Sequence, residues 1–164
     1  MDIVKVNKEN FCDFAFLVEN FASSMSEAMT EEKKSRLKKD GLSENPLYEA
    51  HLGIIDGKPV SYVAFLMTYS TFLASPTLFL EDLFVLSEYR SRGVGQKMFD
   101  FCVNEALIRN CGRMDWQVLE QNKSAIKFYE RNLATKLDWV PYKMDMGQLE
   151  AHKKLKGSII NFKN

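Results

Sequence analysis

The sequence predicts an α/β (α+β) fold, in which a mixed, mostly antiparallel seven-stranded sheet is flanked by about four helices. Two observations support this fold. Strand and helix patterns of apolar residues follow in the order strand, helix, helix, three strands, helix, strand, helix and two strands. A helix joins the strand that ends at Leu86 to the strand that begins at Arg113, so we expect this pair to be parallel. The length of 164 residues fits one domain, residues 1–164.

The first half of the chain begins with one strand and two helices. Residues 2–7 alternate apolar and polar side chains, and residues 9–22 place apolar residues three and four apart, as an amphipathic helix does. A second, charged helix is expected between a Thr30 cap and Gly41. Three strands follow at 47–55, at 59–69 and from Thr77 or Leu78, the first two joined by a hairpin turn at Asp56-Gly57-Lys58.

The second half alternates helices and strands. We expect a helix up to Ile108, a strand over 113–119, a helix over 123–131 with an Asn122 cap, two strands at 134–137 and 139–146, and a lysine-rich helix in the tail 148–164. Pro141 favours an edge position or a bulge for the last strand.

Composition and charge exclude several classes of protein. The hydrophobic share of 46% and charged share of 27% are those of a soluble globular domain. Lys plus Arg and Asp plus Glu number 22 each, so no global field favours nucleic acid or an anionic membrane. The three cysteines lack CxxC spacing and the two histidines lie far apart, so we expect no metal and no disulfide. The same cysteine pattern indicates a reducing compartment, and with no run of 18 apolar residues the predicted location is cytoplasmic.

The stretch from Leu80 to Ile108 has the pattern of an anion site. An apolar strand over 80–86 leads through a polar loop over 87–95 into a helix. The first amides of a helix have no intrahelical partners and lie at its positive end, so a phosphate there satisfies them. In this loop Gly93 and Gly95 permit close backbone approach, and Arg90 and Arg92 add positive charge.

The loop excludes two common nucleotide-binding patterns. It has neither the Walker spacing nor the three glycines of GxGxxG. What it has is Arg-x-x-Gly-x-Gly, which resembles the acetyl-CoA signature of the GNAT superfamily of N-acetyltransferases. The resemblance implies acetyl-CoA as co-substrate without a metal. It also implies a coenzyme site that includes Phe84, Val85, Arg90, Ser91, Arg92, Gly93, Val94 and Gly95.

A second motif follows one strand and one helix later, in the order that the GNAT pattern requires. The segment Asn122 to Arg131 resembles that family's second region, in which a tyrosine faces the coenzyme sulfur. The resemblance therefore assigns Asn122 and Ser124 to coenzyme binding and Tyr129 to the role of general acid. Without the first motif, we would interpret Tyr129 as an aromatic residue of the core.

Further segments resemble the diamine branch of the superfamily, the spermidine/spermine and thialysine acetyltransferases. These segments are 69–72, 80–85, 88–90 and Trp139 ahead of Tyr142-Lys143, and the resemblance implies that Trp139 contacts the substrate. The family's helix ends in glycine where this chain has Leu133. Because leucine tolerates a left-handed cap poorly, we expect this helix to end differently.

The chemistry of amine acetylation calls for carboxylates. An amine with a pKa near ~10 is protonated at neutral pH, so the enzyme must attract the ammonium and then remove a proton. The family resemblance makes Glu81 the base acting through water and Asp82 the anchor for a distal cation of the substrate. Adjacent strand residues normally point to opposite faces, so a bulge is needed to bring both to one cleft. A backbone amide near Phe84 or Val85 would hold the oxyanion.

These features predict an N-acetyltransferase acting on a primary amine of a small diamine, polyamine or lysine-like substrate. Two alternatives stay open: a protein lysine or N-terminal acetyltransferase, and a non-catalytic acyl-CoA-binding module. Cys102 lies among apolar helix positions without a neighbouring histidine and is expected to be a buried thiol, not a nucleophile. The diamine branch is dimeric, so we expect a homodimer that covers Phe65, Tyr69 and Phe72.

Overall fold

The computed structural model describes residues 1–155, which form two compact units, residues 1–119 and the residues from Glu120 onward. The first unit contains β1 (Asp2–Lys5), α1 (Phe11–Ser24), α2 (Glu31–Gly41), β2 (Glu49–Ile55), β3 (Lys58–Ser70), β4 (Ser75–Val85), a 3-10 turn (Ser87–Tyr89), α3 (Val94–Ile108) and β5 (Arg113–Trp116). The second contains α4 (Lys123–Arg131) and α5 (Met146–Leu155). Within residues 1–155, no helix has the length and apolar character to cross a membrane.

One mixed sheet organises the first unit. Its strands lie in the order β1-β2-β3-β4-β5, so every strand pairs with its neighbour in sequence. The first three pairings are antiparallel, and β4 with β5 is parallel, as the helical connection through α3 predicts. The mixed α/β class is confirmed.

Local signals placed the turns and caps of the first unit correctly. Asp56 and Gly57 both have positive φ, +50° and +73°, which a two-residue hairpin turn of this kind requires. The Thr30 side chain accepts a hydrogen bond from the Lys33 amide at 3.2 Å and so caps α2. These elements depend on neighbours in sequence, which is why the sequence predicts them.

The two faces of the sheet bury different helices. On one face, Phe14 and Leu17 of α1 pack with Tyr62 and Phe84 of the sheet. On the other face, Val94 at the start of α3 packs with Val60 and Val85. Cys102 of α3 is fully buried, as expected for a core thiol. Strand β4 is thus packed by helices on both sides, which holds its backbone rigidly beside the loop that follows.

The prediction of seven strands and about four helices is wrong in number, because the described residues form five strands and five α-helices. Residues 134–145, where two strands were expected, have no regular secondary structure. Their apolar side chains, including Leu137, Val140 and Tyr142, are largely exposed, so burial does not select a strand register here. Pro141 also lacks the amide that a ladder needs. The predicted tail helix is present as α5, and residues 156–164 lie outside the described part.

The expectation that α4 ends in an unusual way is also wrong. Leu133 adopts the left-handed conformation, with φ of +64°, at the position where the family has glycine. Two hydrogen bonds close the helix, from the Leu133 amide to the Glu130 carbonyl and from the Ala134 amide to the Tyr129 carbonyl, each 3.1 Å. The bonds of the cap therefore outweigh the steric penalty of ~1–2 kcal/mol for a left-handed leucine.

Replacing Leu133 with glycine should stabilise the end of α4. The side chain is 94% exposed, so its loss removes no packing, while the left-handed strain disappears. Glycine also raises the conformational entropy of the unfolded chain, which offsets part of this benefit. We expect the net stabilisation of the helix end to be ~0.5–1 kcal/mol. Hydrogen exchange of the Leu133 and Ala134 amides measures it. Leu137→Gly, at an exposed position without positive φ, is the control and should not slow exchange; equal behaviour of the two variants would contradict the strain at Leu133.

Candidate active site

Strand β4 extends beyond its parallel neighbour. Residues 77–80 of β4 pair with Arg113–Trp116, and β5 ends there. Residues 81–85 continue along β3, but within residues 1–155 no strand of the sheet pairs with them on their other side. We call this open edge, residues 81–85, the β4 notch. Its outward-facing backbone groups have no ladder partner in the described sheet, at the point where the chain enters the glycine loop.

A β-bulge lies at the start of the β4 notch. Along β3, Ala64 pairs with Asp82 and Phe65 pairs with Leu80, so Glu81 has no partner in the ladder. An extra residue of this kind interrupts the alternation of side chains and increases the local twist. The bulge that would bring Glu81 and Asp82 to one side of the sheet is therefore present in this strand.

Hydrogen bonding beyond the bulge sets the direction of the backbone amides. The Leu86 amide donates to the Val60 carbonyl of β3 at 3.0 Å. Because amides alternate along a strand, the Phe84 amide also faces β3, whereas the Leu83 and Val85 amides face the β4 notch. The Phe84 ring lies in the core against Phe21, with 5.6 Å between ring centroids. Of the two amides considered for the oxyanion, that of Val85 faces the open side.

The Asp82 carboxyl is partly buried and has an abnormal pKa. The Tyr62 hydroxyl donates a hydrogen bond to Asp82 Oδ2 at 3.2 Å. Burial raises the pKa of Asp82 to about 6, the Tyr62 hydrogen bond opposes that rise, and the negative charge of Glu81 adds to it. Glu81 itself is exposed, so the pair combines a solvated carboxylate with a partly shielded one.

The glycine loop presents helix amides without a side chain over them. Gly93 is the N-cap of α3, has φ of +78° and gives no side-chain cap to the helix. A Cβ atom at Gly93 would meet no other atom within 4 Å, so the space beside the first turn is open. Ser91 also has positive φ, +58°. The first amides of α3 therefore fit the anion that the loop pattern predicts.

Two arginines flank this loop. Arg90 Nε donates to the Val85 carbonyl at 2.9 Å, which ties the loop to the end of β4. The Arg92 guanidinium lies 5.7 Å from the centre of the Tyr89 ring. Among residues 1–155, neither arginine forms an ion pair with a carboxylate. Their positive charge is therefore available to a phosphate, the group that the loop pattern predicts.

The remaining predicted site residues lie in the second unit. The Asn122 side chain accepts a hydrogen bond from the Ala125 amide at 3.1 Å and caps α4, as predicted. Ser124 lies in the first turn of α4, and Tyr129 in its last turn, with its ring 5.3 Å from that of Phe128. Trp139 lies in the irregular segment and is 82% exposed.

Metal and thiol chemistry have few candidate groups here. Within the part of the chain that the structure describes, no three His, Cys, Asp or Glu side chains are grouped to hold a metal ion. Burial raises the pKa of the Cys102 thiol to about 12, which disfavours the reactive thiolate.

The contact between Tyr62 and Asp82 was not predicted from the sequence. Tyr62 lies in a run of apolar strand residues, where a tyrosine normally indicates core packing. Its approach to Asp82 depends on the strand register at the bulge, which no local pattern encodes. The one available signal was the polar hydroxyl of a tyrosine in a mostly apolar strand, next in sequence to the strand that carries Glu81 and Asp82.

Comparison with known proteins gives a family match. The sequence matches the Acetyltransferase (GNAT) family over residues 15–134. A thialysine N-epsilon-acetyltransferase of Sus scrofa is 30% identical over 121 residues, which cover 66% of this chain and 71% of that protein. An L-ornithine N5-acetyltransferase of Arabidopsis thaliana is 34% identical over 70 residues, 43% of this chain and 31% of that protein.

Solved structures share the fold. An integron cassette protein from the mobile metagenome of V. cholerae has a TM-score of 0.82 at 22% identity, and the match covers 96% of this chain and 98% of that one. An aminoglycoside N-acetyltransferase solved with CoA has a TM-score of 0.76 at 17% identity, covering 88% of this chain and 94% of the other. At these identities the likeness extends to the fold alone.

Replacing Asp82 with asparagine should stabilise the protein at neutral pH. The folded-state pKa of about 6 lies above the ordinary ~3.9, so the stability that protonated Asp82 contributes is present below about pH 4 and lost as pH rises through 6. Asp82→Asn avoids this loss. We expect it to raise the free energy of unfolding by ~1–3 kcal/mol at pH 7.5, and by less towards pH 4.5. Denaturant unfolding at both pH values measures it.

Asp100→Asn is the matched control, because Asp100 is an exposed carboxylate of α3 in the same unit. Its effect on stability should be small at both pH values. A gain from Asp82→Asn that is the same at pH 4.5 and 7.5 would contradict the raised pKa.

Proposed function

Because the chain belongs to the GNAT family and is an acetyl-CoA-dependent N-acetyltransferase, we propose that it acetylates a primary amine of a small diamine, polyamine or lysine-like acceptor. One observation carries the proposal: the adjacent carboxylates Glu81 and Asp82 lie at a bulge at the start of the β4 notch, and the charge of Glu81 contributes to the raised pKa of Asp82. The family match, 15–134, runs through both compact units. We therefore treat residues 1–164 as a single N-acetyltransferase domain.

The coenzyme is proposed to bind along the β4 notch and the glycine loop. The first amides of α3, with Arg90, Arg92 and the open space at Gly93, suit its pyrophosphate. When bound, acetyl-CoA supplies an activated acetyl group. The Val85 amide, which faces the notch, is the proposed donor to the carbonyl oxygen as negative charge develops there. Asn122 and Ser124 are proposed as further coenzyme contacts on the strength of the resemblance.

The acidic pair is proposed to prepare the acceptor. An ammonium entering the site is attracted by both carboxylates, and one proton must leave before its nitrogen can attack. Glu81, the exposed member, is the proposed base and takes the proton through a water molecule. Asp82, the partly shielded member, is the proposed anchor for the second cation of the acceptor, with Trp139 as a further proposed substrate contact.

The transfer itself needs no covalent enzyme intermediate. The neutral amine forms a bond to the acetyl carbon and the bond from that carbon to sulfur breaks. The nitrogen releases its extra proton to solvent, and the leaving thiolate takes a proton. Tyr129 is the proposed donor of that proton. This role rests on the resemblance of the segment from Asn122 to Arg131, which ends at the helix cap of Leu133.

The relatives support the acceptor class. Those compared above are named for acetylation of thialysine and of ornithine. Each of these amino acids carries a second amine beside the one that is acetylated, so each offers a distal cation. An acidic pair is the complementary feature on the enzyme side.

We also propose a homodimer and a cytoplasmic location. Phe72 and Tyr69, at and near the turn between β3 and β4, are 95% and 62% exposed and are available to a second copy. Phe65, the third residue expected there, is instead fully buried within the sheet, because its side chain packs against His51. Light scattering at micromolar concentration that gives only a monomer mass would exclude the dimer. The location rests on the cysteine pattern of the sequence.

Placing a carboxylate at Gly93 should weaken coenzyme binding. Two like charges about 4 Å apart repel by roughly 1 kcal/mol in water and roughly 4 kcal/mol near a protein surface. Gly93→Asp should therefore weaken CoA binding by ~10-fold or more. Gly93→Asn is the control, since asparagine has the same size, tolerates positive φ and carries no charge. Calorimetry with CoA measures both variants. Equal affinities for the Asp variant and the wild type would place the pyrophosphate elsewhere.

Removal of the Tyr129 hydroxyl should slow the chemical step. Tyr129→Phe keeps the ring that packs on Phe128 and removes only the proposed acid, so kcat should fall by ~10²-fold or more. The affinity for CoA should stay within about twofold of wild type, as for a group that acts in the transition state. Single-turnover kinetics isolate the step. An unchanged rate there would leave solvent as the proton donor.

The acceptor class is tested with a diamine, its monoamine analogue of equal length and a lysine-containing peptide at matched concentration. A charge-assisted contact to the distal cation contributes roughly 1.5–3 kcal/mol, so the diamine should exceed the monoamine by about one to two decades in kcat/KM. Asp82→Asn should narrow that gap. Clear preference for the peptide would replace the small-amine proposal with protein acetylation, and binding of acetyl-CoA without transfer to any amine would favour a non-catalytic module.

A further inference from the structure

Tyr62 is a fully buried residue whose polar atom reaches the proposed acceptor site. Its ring packs at right angles on Phe14 of α1, with 5.3 Å between centroids, and lies 5.9 Å from the Phe84 ring. Burial raises the pKa of the Tyr62 hydroxyl far above its ordinary range, so the group stays protonated and donates. A rigid core thus fixes one hydrogen-bond donor at the edge of the β4 notch.

That donor meets a single atom of Asp82. The hydroxyl contacts Oδ2 at 3.2 Å, and no other hydrogen bond to this carboxyl is found among the described residues. Oδ1 therefore remains available to a ligand. Across the ladder, Asp82 pairs with Ala64, which has no polar side chain that could bind Oδ1. The hydrogen bond to Oδ2 therefore orients the Asp82 carboxyl, while Oδ1 has no hydrogen-bond partner among the described residues.

Few titratable groups act on this carboxyl. Tyr62 from β3 and Glu81 from β4 are the two that shift its pKa, with opposite signs. Tyr48, which precedes β2, acts on Tyr62, and both phenols stay neutral below pH 10. The other neighbours of the Tyr62 and Phe84 rings are Phe14 and Phe21 of α1 and the Arg90 guanidinium, which lies 5.9 Å from the Phe84 ring. Burial raises the pKa of Asp82 most, and beyond burial the ionisation of Asp82 depends on Tyr62 and Glu81.

We propose that Tyr62 is a positioning residue: its hydroxyl holds Asp82 in the ionised, oriented form that binds the distal cation of the acceptor. This inference rests on the proposed function, in which Asp82 anchors a diamine or lysine-like substrate. It adds a residue of β3 to the site and makes acceptor binding depend on pH. Asp82 ionises as pH rises through about 6, so preference for a diamine over a monoamine grows over that interval.

The test replaces Tyr62 with phenylalanine, which keeps the ring and removes the donor. Loss of one charge-assisted hydrogen bond should raise the pKa of Asp82 by roughly one unit. The KM for a diamine should then rise about threefold at pH 6.5 and return towards the wild-type value at pH 8.5, with kcat nearly unchanged. Because both enzymes see the same acceptor, its own titration cancels in the ratio of the two KM values.

Two controls distinguish a positioning role of Tyr62 from a purely structural role. Tyr48→Phe removes another buried hydroxyl, which donates to the Leu37 carbonyl at 2.7 Å, and should give no pH-dependent change in KM. The monoamine has no distal cation, so its KM should not respond to Tyr62→Phe. A merely structural role of Tyr62 would instead alter KM for both acceptors to the same extent at both pH values.

Carboxyl ¹³C NMR titration provides a readout that needs no turnover. The Asp82 midpoint, assigned with Asp82→Asn, should move up in Tyr62→Phe and down in Glu81→Gln, because the first loses a stabilising donor and the second a repelling charge. If no amine is acetylated, the proposed function fails while the titration still decides the role of Tyr62. An unchanged midpoint in Tyr62→Phe, or a KM ratio that does not vary with pH, would overturn the inference.

Discussion

The pairing of β4 with two neighbours of unequal length is the constraint on which the site depends. Strand β3 pairs with β4 up to Val85, while β5 ends opposite Leu80. Five residues of a strand that is packed from both faces therefore keep an open edge. A longer β5 would fill this edge with ladder hydrogen bonds and leave no backbone amide for a ligand.

The bulge at Glu81 places two acidic residues, Glu81 and Asp82, at the start of this open edge. It stands at the boundary between the paired and the open part of β4, and it interrupts the alternation of side chains at the adjacent carboxylates Glu81 and Asp82. Their repulsion and the burial of Asp82 oppose folding at neutral pH, and the Tyr62 hydroxyl offsets part of that cost. The partly buried carboxylate of Asp82 thus lowers stability at the position that we propose to bind the acceptor.

The sequence predicts what depends on neighbours along the chain. The hairpin turn at Asp56-Gly57, the Thr30 and Asn122 caps and the left-handed Gly93 ahead of α3 all follow from local chemistry. The contact between Tyr62 and Asp82 depends on strand register, which only the folded sheet sets. Leu133 was misjudged because the hydrogen bonds of a helix cap outweigh the preference of one residue. The two predicted strands after it contain apolar residues that the structure leaves exposed, so their pattern had no burial to anchor it.

The central claim is that the coenzyme occupies the β4 notch and the glycine loop. Amide NMR of the protein titrated with CoA tests it most directly, because the alternation of β4 makes a residue-specific prediction. The amides of Leu83 and Val85 and those of the first turn of α3 should shift and exchange more slowly, whereas those of Leu78 and Phe79, paired with β5, should not. Shifts confined to other surfaces, such as the groove between α1 and α2 lined by Phe16 and Lys38, would contradict the account.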